Sequence, residues 1–271
     1  MKNNKYKITV LSDLSTSSSY ILKSAERFAQ IVGGDIEIFH VRKATQVVNR
    51  ESQLSAVREL KENFVLVEDK LKEMKTAADN VSEVKTTHSF VFGNLKNEIE
   101  KHLIETKPDV VVLGKKISKT PGFLGDGVLT FLLKKFPGVV LIADHENLLD
   151  VDTQLGLGFY NATSTESNFK HIDALISTSQ GPLRTYNVAE KLATVNNEKE
   201  HSIVNSNIVS YVFEKNDQTL RTMSNYMVKN KVNLLLVDRN SKSAINRAGL
   251  SISEANNLVH NLKVPILLTN G

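Results

Sequence analysis

The residues of this sequence best placed to do chemistry lie in one stretch, GKKISKTPGFLGDGVLTF, residues 114–131. It follows the apolar run DVVVL and combines the glycines Gly114, Gly122, Gly125 and Gly127 with the lysines Lys115, Lys116 and Lys119. Glycines let backbone N–H groups close on phosphate oxygens, a following helix N-terminus adds partial positive charge, and lysines add full charges. A Walker loop is excluded, because the preceding PDVVVL lacks the G-x-x-x-x-G lead-in. A second candidate is Asp13, a carboxylate just beyond the run KITVL, which also suits plain turn and helix-cap chemistry with Ser15.

Other chemistries find no support. There is no cysteine, which excludes disulfides, thiolate catalysis and cysteine-ligated metals. Seven histidines (His40, His88, His102, His145, His171, His201 and His260) include no pair at i, i+4, so no metal site is expected. H-E-x-x-H, G-x-S-x-G and a G-x-G-x-x-G after the first strand are all missing. The pairs Glu98/Glu100 and Asp150/Asp152 fall where solvated charge is the ordinary explanation. No catalytic residue is assigned. The net charge of +4 is dispersed, without the concentrated basic face of a nucleic-acid binder. The first residues carry neither a signal-peptide core nor a membrane span, so a cytoplasmic protein with no membrane contact is expected.

These candidates need elements that bring them to one edge. Residues 7–11 predict a strand, and ILKSAERFAQIVG predicts a helix stopped by Gly33 and Gly34. Residues 35–41 (DIEIFHV) alternate as a second strand, with Ile36, Ile38 and His40 on one face. A β-α-β order implies parallel strands joined by a right-handed crossover. Over residues 46–78 a helix places Leu54, Val57, Leu60, Phe64, Val67, Leu71 and Met74 at spacings of three and four, a stripe read as core packed on a sheet and not as an interface. Strands at 86–92, 109–113 and 139–143 and a helix at 94–106 complete a doubly wound α/β sheet of about five strands. Continuous apolar runs such as DVVVLG and GVVLIAD suit parallel strands covered on both faces.

The chain has 271 residues, 41% of them hydrophobic, which favours two domains with a core each. A polar segment, HENLLDVDTQ, serves as linker, and the element order then repeats. Strands are expected at 155–159, 183–188, 208–213, 232–237 and 264–269, and helices at 166–176, 218–230 and 251–262. The glycines of GLGF at 156–159 read as close backbone packing inside a strand. Residues 191–207 are polar and weakly periodic, so the long second helix has no counterpart and the second copy is abbreviated. The expected domains are 1–147 and 148–271.

The order and spacing of ITVLSDLS, DIEIFHV, VFGNLKNEIEKHLIETKPDVVVLG and VLTFLLKKFPGVVLIAD resemble the universal stress protein family, as two tandem copies covering nearly the whole chain. The resemblance implies two doubly wound, parallel five-stranded sheets of the adenine nucleotide alpha hydrolase-like kind, the second degenerate. Some members bind ATP through a loop of form G-x2-G-x9-G-(S/T). Gly114 fits its first glycine, while Ile117 stands at the second, where a branched side chain resists positive φ. Counting forward from Gly114 puts Gly127 and Val128 at the final pair; counting back from Pro137 puts Asp126 and Gly127 there. Neither register supplies the hydroxyl. In the second copy Asp238, Ser241, Ile252 and Ser253 take these places. Asp13 and Val41 match the family positions near the nucleoside.

The resemblance therefore implies a non-enzymatic stress or regulatory protein whose one candidate nucleotide site is Asp13, Val41, Gly114, Lys115, Gly125 and Gly127, with ATP as the cofactor. The alternative is an ATP-binding switch or weak ATPase. An internal pseudo-dimer through residues 139–143 and 264–269, a protein partner of unknown identity and a homo-oligomer all fit the family.

Overall fold

The computed structural model describes residues 5–43, 53–80, 83–115, 127–162, 169–189, 208–239 and 249–269. The chain divides into two compact units, Met1–Phe136 and Pro137–Gly271. The expected residues Gly122, Gly125, Asp126 and the lysines 116 and 119 lie outside the described residues, as does the segment 190–207.

In the first unit β1 (Tyr6–Ser12), α1 (Ser18–Val32), β2 (Gly34–Arg42), α2 (Gln53–Asp79), β3 (Thr86–Phe92), α3 (Leu95–Thr106), β4 (Val110–Gly114) and α4 (Val128–Lys135) follow in order. The strands lie β3-β2-β1-β4, with β2 parallel to β1 and β3, and β4 parallel to β1. The order reverses at β1 and β4, so right-handed crossovers put α1 and α2 on one face and α3 and α4 on the other. Contacts between α1 and α2, and between α3 and α4, agree with that assignment. Helix α1 forms because Ile21, Leu22, Ala25, Phe28, Ala29 and Val32 recur at helical spacing and are all buried. Each large apolar side chain so buried stabilises by roughly 1.5–3 kcal/mol. Gly33, at φ +72°, ends the helix in the left-handed conformation that its missing Cβ makes cheap.

The stripe on α2 departs from expectation. Val67, Leu71 and Ala78 are buried, but Val57 is 66% exposed and Phe64 49%, and Leu60 is exposed with them. The reason is length. At a rise of about 1.5 Å per residue this helix runs about 40 Å, whereas its partner strand β3, at about 3.3 Å per residue, runs about 23 Å. The stripe outlasts the sheet that was to cover it, so only its C-terminal half is core.

In the second unit β5 (Val139–Ala143), β6 (Leu157–Tyr160), α5 (Ile172–Thr178), β7 (Leu183–Ala189), β8 (Ile208–Glu214), α6 (Thr219–Lys229), β9 (Leu234–Asp238), α7 (Ile252–Asn261) and β10 (Ile266–Thr269) lie in the strand order β5-β10-β9-β6-β7-β8. All pairings are parallel except β5 with β10, which run antiparallel with Leu141 opposite Leu267. Strands β6 to β9, in the order β8-β7-β6-β9, repeat the order β3-β2-β1-β4 of the first unit. Strands β5 and β10 pair inside this unit.

Both units close their lower end with the same clasp. Asp109 accepts the Lys7 N–H at 2.8 Å through Oδ2 while its own N–H donates to the Lys7 carbonyl at 2.9 Å. Asn233 accepts the Gly156 N–H at 2.8 Å through Oδ1 while its N–H donates to the Gly156 carbonyl at 3.0 Å. Gly156 also shows the expected close packing, since a Cβ there would lie 2.1 Å from the Lys231 carbonyl oxygen.

Candidate functional site

The carboxyl ends of β1 and β4, where the crossovers part, form the crevice in which open α/β sheets hold ligands. Asp13 follows β1 directly. Its Oδ1 accepts from the Ser15 N–H at 3.0 Å and the Ser18 hydroxyl at 3.3 Å, which closes a turn ahead of α1. The helix cap itself is Ser17, without a side-chain capping bond to the helix, so Asp13 shapes the turn instead of capping the helix. Ser12 completes this knot: its hydroxyl donates to Ser18 at 3.0 Å and accepts from the Leu14 N–H at 3.1 Å, with Leu14 held at φ +57°.

At the end of β2, Val41 is buried and pairs with Val91 of β3. Its neighbour His40 is the residue the sequence did not single out. His40 is only 4% exposed, and its Nδ1 lies 2.8 Å from the Ser12 carbonyl. A carbonyl only accepts, so Nδ1 carries the proton, and in the neutral ring Nε2 is a lone pair. That atom has no partner among the described residues. Burial holds the His40 pKa below its ordinary value, and the Arg42 and Lys70 cations reinforce this; the Ser12 carbonyl and Asp13 oppose it.

Gly114 ends β4. A Cβ there would meet Ile21 Cδ1 at 2.5 Å and Tyr20 Oη at 3.1 Å, so this glycine is required by α1 lying across the strand end. Tyr20 donates to the carbonyl of Lys115 at 3.2 Å, and Lys115 is buried. Gly127 stands at the N-cap of α4 with φ +69°, ψ 26° and no side-chain cap, and the nearest group to its absent Cβ is Lys96 Nζ at 3.5 Å. Lys96 comes from the first turn of α3, and its nearness to α4 is made by helix packing alone. Of the expected residues, Asp13, Val41, Gly114 and Lys115 stand at strand ends and Gly127 at the head of α4; Gly125 lies outside the described residues.

The same places in the second unit are filled differently. Ladder register makes Asn161 the counterpart of Ser12, Ala162 of Asp13 and Val188 of Val41. Asn161 Oδ1 already accepts the Val188 N–H at 2.8 Å, which spends that backbone donor. Tyr160, whose hydroxyl is pushed up to about 12 by burial and by the Glu254 carboxylate, stays neutral at this strand end. Asp238 ends β9 where Gly114 ends β4, and Arg239 next to it donates to the Thr269 and Pro137 carbonyls, both at 3.4 Å, and to the Gly138 carbonyl. Helix α7 opens on a capping box, in which Ser251 accepts the Glu254 N–H at 3.1 Å and Glu254 accepts the Ser251 N–H at 2.9 Å. The site is therefore closed by its own side chains and fronted by carboxylates.

Among the described residues, no group of three or more His, Asp or Glu could hold a metal, and no helix is long and apolar enough to cross a membrane.

Comparison with known proteins agrees with the fold. No curated protein matches this sequence. A universal stress protein from Archaeoglobus fulgidus DSM 4304 superposes with a TM-score of 0.64 over 97% of this chain and 96% of that one, at 11% identity. A functionally unknown protein, PA1789 from Pseudomonas aeruginosa PAO1, gives a TM-score of 0.51 over 98% and 93%, at 10% identity. The universal stress protein family itself matches residues 6–143, from the start of β1 to the end of β5. This chain belongs to the universal stress protein family.

Proposed function

We propose that the chain is a non-enzymatic, cytoplasmic regulatory protein of the stress type, whose halves 1–147 and 148–271 form an internal pseudo-dimer that acts on a protein partner. In this reading any nucleotide, with ATP the expected one, binds weakly and in the first half alone, near Asp13, Val41, Gly114, Lys115, Gly125 and Gly127. The observation that carries it is the contrast between two helix starts. The head of α4 has a left-handed glycine, no side-chain cap and the Lys96 ammonium nearby, whereas the head of α7 is closed by Ser251 and Glu254. A helix N-terminus without a side-chain cap and a nearby cation favour an anion; a capping carboxylate repels one.

A second reading, an ATP-driven switch or weak ATPase, draws on the same helix start. Thermal unfolding in magnesium and ATP, with phosphate release measured in parallel, tests both. At ATP equal to Kd the expected gain is about 0.4 kcal/mol, a rise of about 1 °C. Gly127→Val should abolish the rise and Asp238→Gly should create none in a Gly127→Val background. Phosphate release above the spontaneous rate would favour the enzyme reading. No rise at millimolar ATP would remove the nucleotide and leave the protein-binding role.

A further inference from the structure

The second unit holds a cavity of about 780 Å³ at the entry to β6 and β9, the opposite end of its sheet from the strand ends described above. Small-molecule sites fall in the range of roughly 300–1,000 Å³. We propose that this cavity binds a small oxyanion, a molecule bearing carboxylate or phosphate groups.

Its back wall is the Asn233 clasp. Besides accepting from Gly156, Asn233 donates through Nδ2 to the Gln154 carbonyl at 2.8 Å, and its N–H and that of Leu234 both reach the Gly156 carbonyl, so the wall is fixed before any ligand arrives. The first unit builds the same clasp from Asp109 and Lys7. Two changes in the second unit alter what it offers. Asn in place of Asp removes a carboxylate from the wall, and Gly156 in place of Lys7 leaves no side chain at that position.

The donors around this wall are unspent. Arg184, on β7, uses only Nη1, toward the Pro182 carbonyl at 3.2 Å, and no carboxylate pairs with it among the described residues. The rest of its fork is free to meet two oxygens of one oxyanion. Lys231 has no ion pair among the described residues, and the side-chain amides of Gln154 and Gln180 make no hydrogen bond there either. Two carboxylates also face the cavity. Glu146 is neutralised by Lys263 at 2.9 Å, and Asp150 turns one oxygen toward the Asp152 N–H at 3.5 Å. Among the described residues two cations without an ion pair, Arg184 and Lys231, stand against one such carboxylate, Asp150, and this surplus of positive charge selects an anionic ligand.

The test is a titration of the isotope-labelled full chain with citrate and, separately, inorganic phosphate, each against sodium chloride of equal ionic strength, followed by backbone amide NMR. Saturable shifts at Gly156, Lys231 and Asn233 with either anion, absent with chloride, are expected, and the tighter of the two names the oxyanion class. Lys231 sits at φ +56°, a conformation glycine adopts freely, so Lys231→Gly removes the cation while keeping the fold. It should weaken binding about tenfold, as should Arg184→Gln, each removing one charge-assisted contact. No saturable shift up to about 10 mM, beyond the millimolar range of a weak site, overturns the proposal. So does wild-type affinity in both variants.

Discussion

The heads of α4 and α7 hold the same place in their units and have taken opposite chemistry. One is a bare left-handed glycine beside a lysine; the other is a completed capping box in front of Asp238 and Arg239. The difference teaches that a duplicated fold keeps its scaffold contacts while the groups at one strand end are free to change. Both units retain a basal clasp with the same hydrogen-bond pattern, because it ties β1 to β4 and β6 to β9. At the upper end the two units differ: Gly127 heads α4 without a side-chain cap, whereas Ser251 and Glu254 cap α7.

The comparison can be broken first at the clasp. Gly156→Ala places a Cβ 2.1 Å from the Lys231 carbonyl, a backbone atom that cannot turn aside, and should cost about 3 kcal/mol or more in urea unfolding. Lys7→Ala, at the matching position of the first unit, should cost under about 0.5 kcal/mol, because Lys7 is exposed and already carries a Cβ. Equal losses would show that the close approach of the Lys231 carbonyl is not what sets Gly156 apart.

The next effect belongs to Arg239. Its guanidinium serves three carbonyls from 137, 138 and 269, and Arg239→Ala should cost about 2 kcal/mol by the same measurement. A neutral result would mean that the sealed end is solvated and not structural. Ser251→Ala should cost about 1 kcal/mol by removing one half of the capping box. Gly127→Ala instead forces a side chain into φ +69°, where the loss is about 1–2 kcal/mol from backbone strain and not from a lost hydrogen bond.

The smallest expected effect is a pH dependence confined to the first unit. The folded pKa of His40 lies below its ordinary 6.5, so between those values the unfolded chain binds more protons than the folded one. His40 therefore contributes stability that is present above pH 6.5 and lost as pH falls below it. Urea midpoints of wild type and His40→Gln should diverge in that window, the variant falling less steeply. Parallel curves would mean that the Ser12 carbonyl and Asp13 fully offset burial.

The β-α-β order, the element sequence of both halves and the packing role of the glycines in GLGF were legible, since each rests on local periodicity or on a missing Cβ. The half-exposed stripe of α2 was not. A spacing of three and four says which side of a helix is apolar, but the length of the sheet that Val57 and Leu60 overhang is a property of another segment. His40, Lys96 and Arg239 escaped for the same reason. Their partners, Ser12, Gly127 and the carbonyls of 137, 138 and 269, are distant in sequence and brought near by folding.

By itself the sequence determined the fold class, the duplication and the unlike chemistry of Gly114 and Asp238, because apolar period, turn residues and residue identity at a strand end are local quantities. Tertiary structure decided the rest. It left the His40 Nε2 without a partner among the described residues, sealed the strand end of the second unit with Arg239 and opened a cavity at its base lined by Arg184 and Lys231. Each of these depends on the distance between groups in different elements, which only the packed chain fixes.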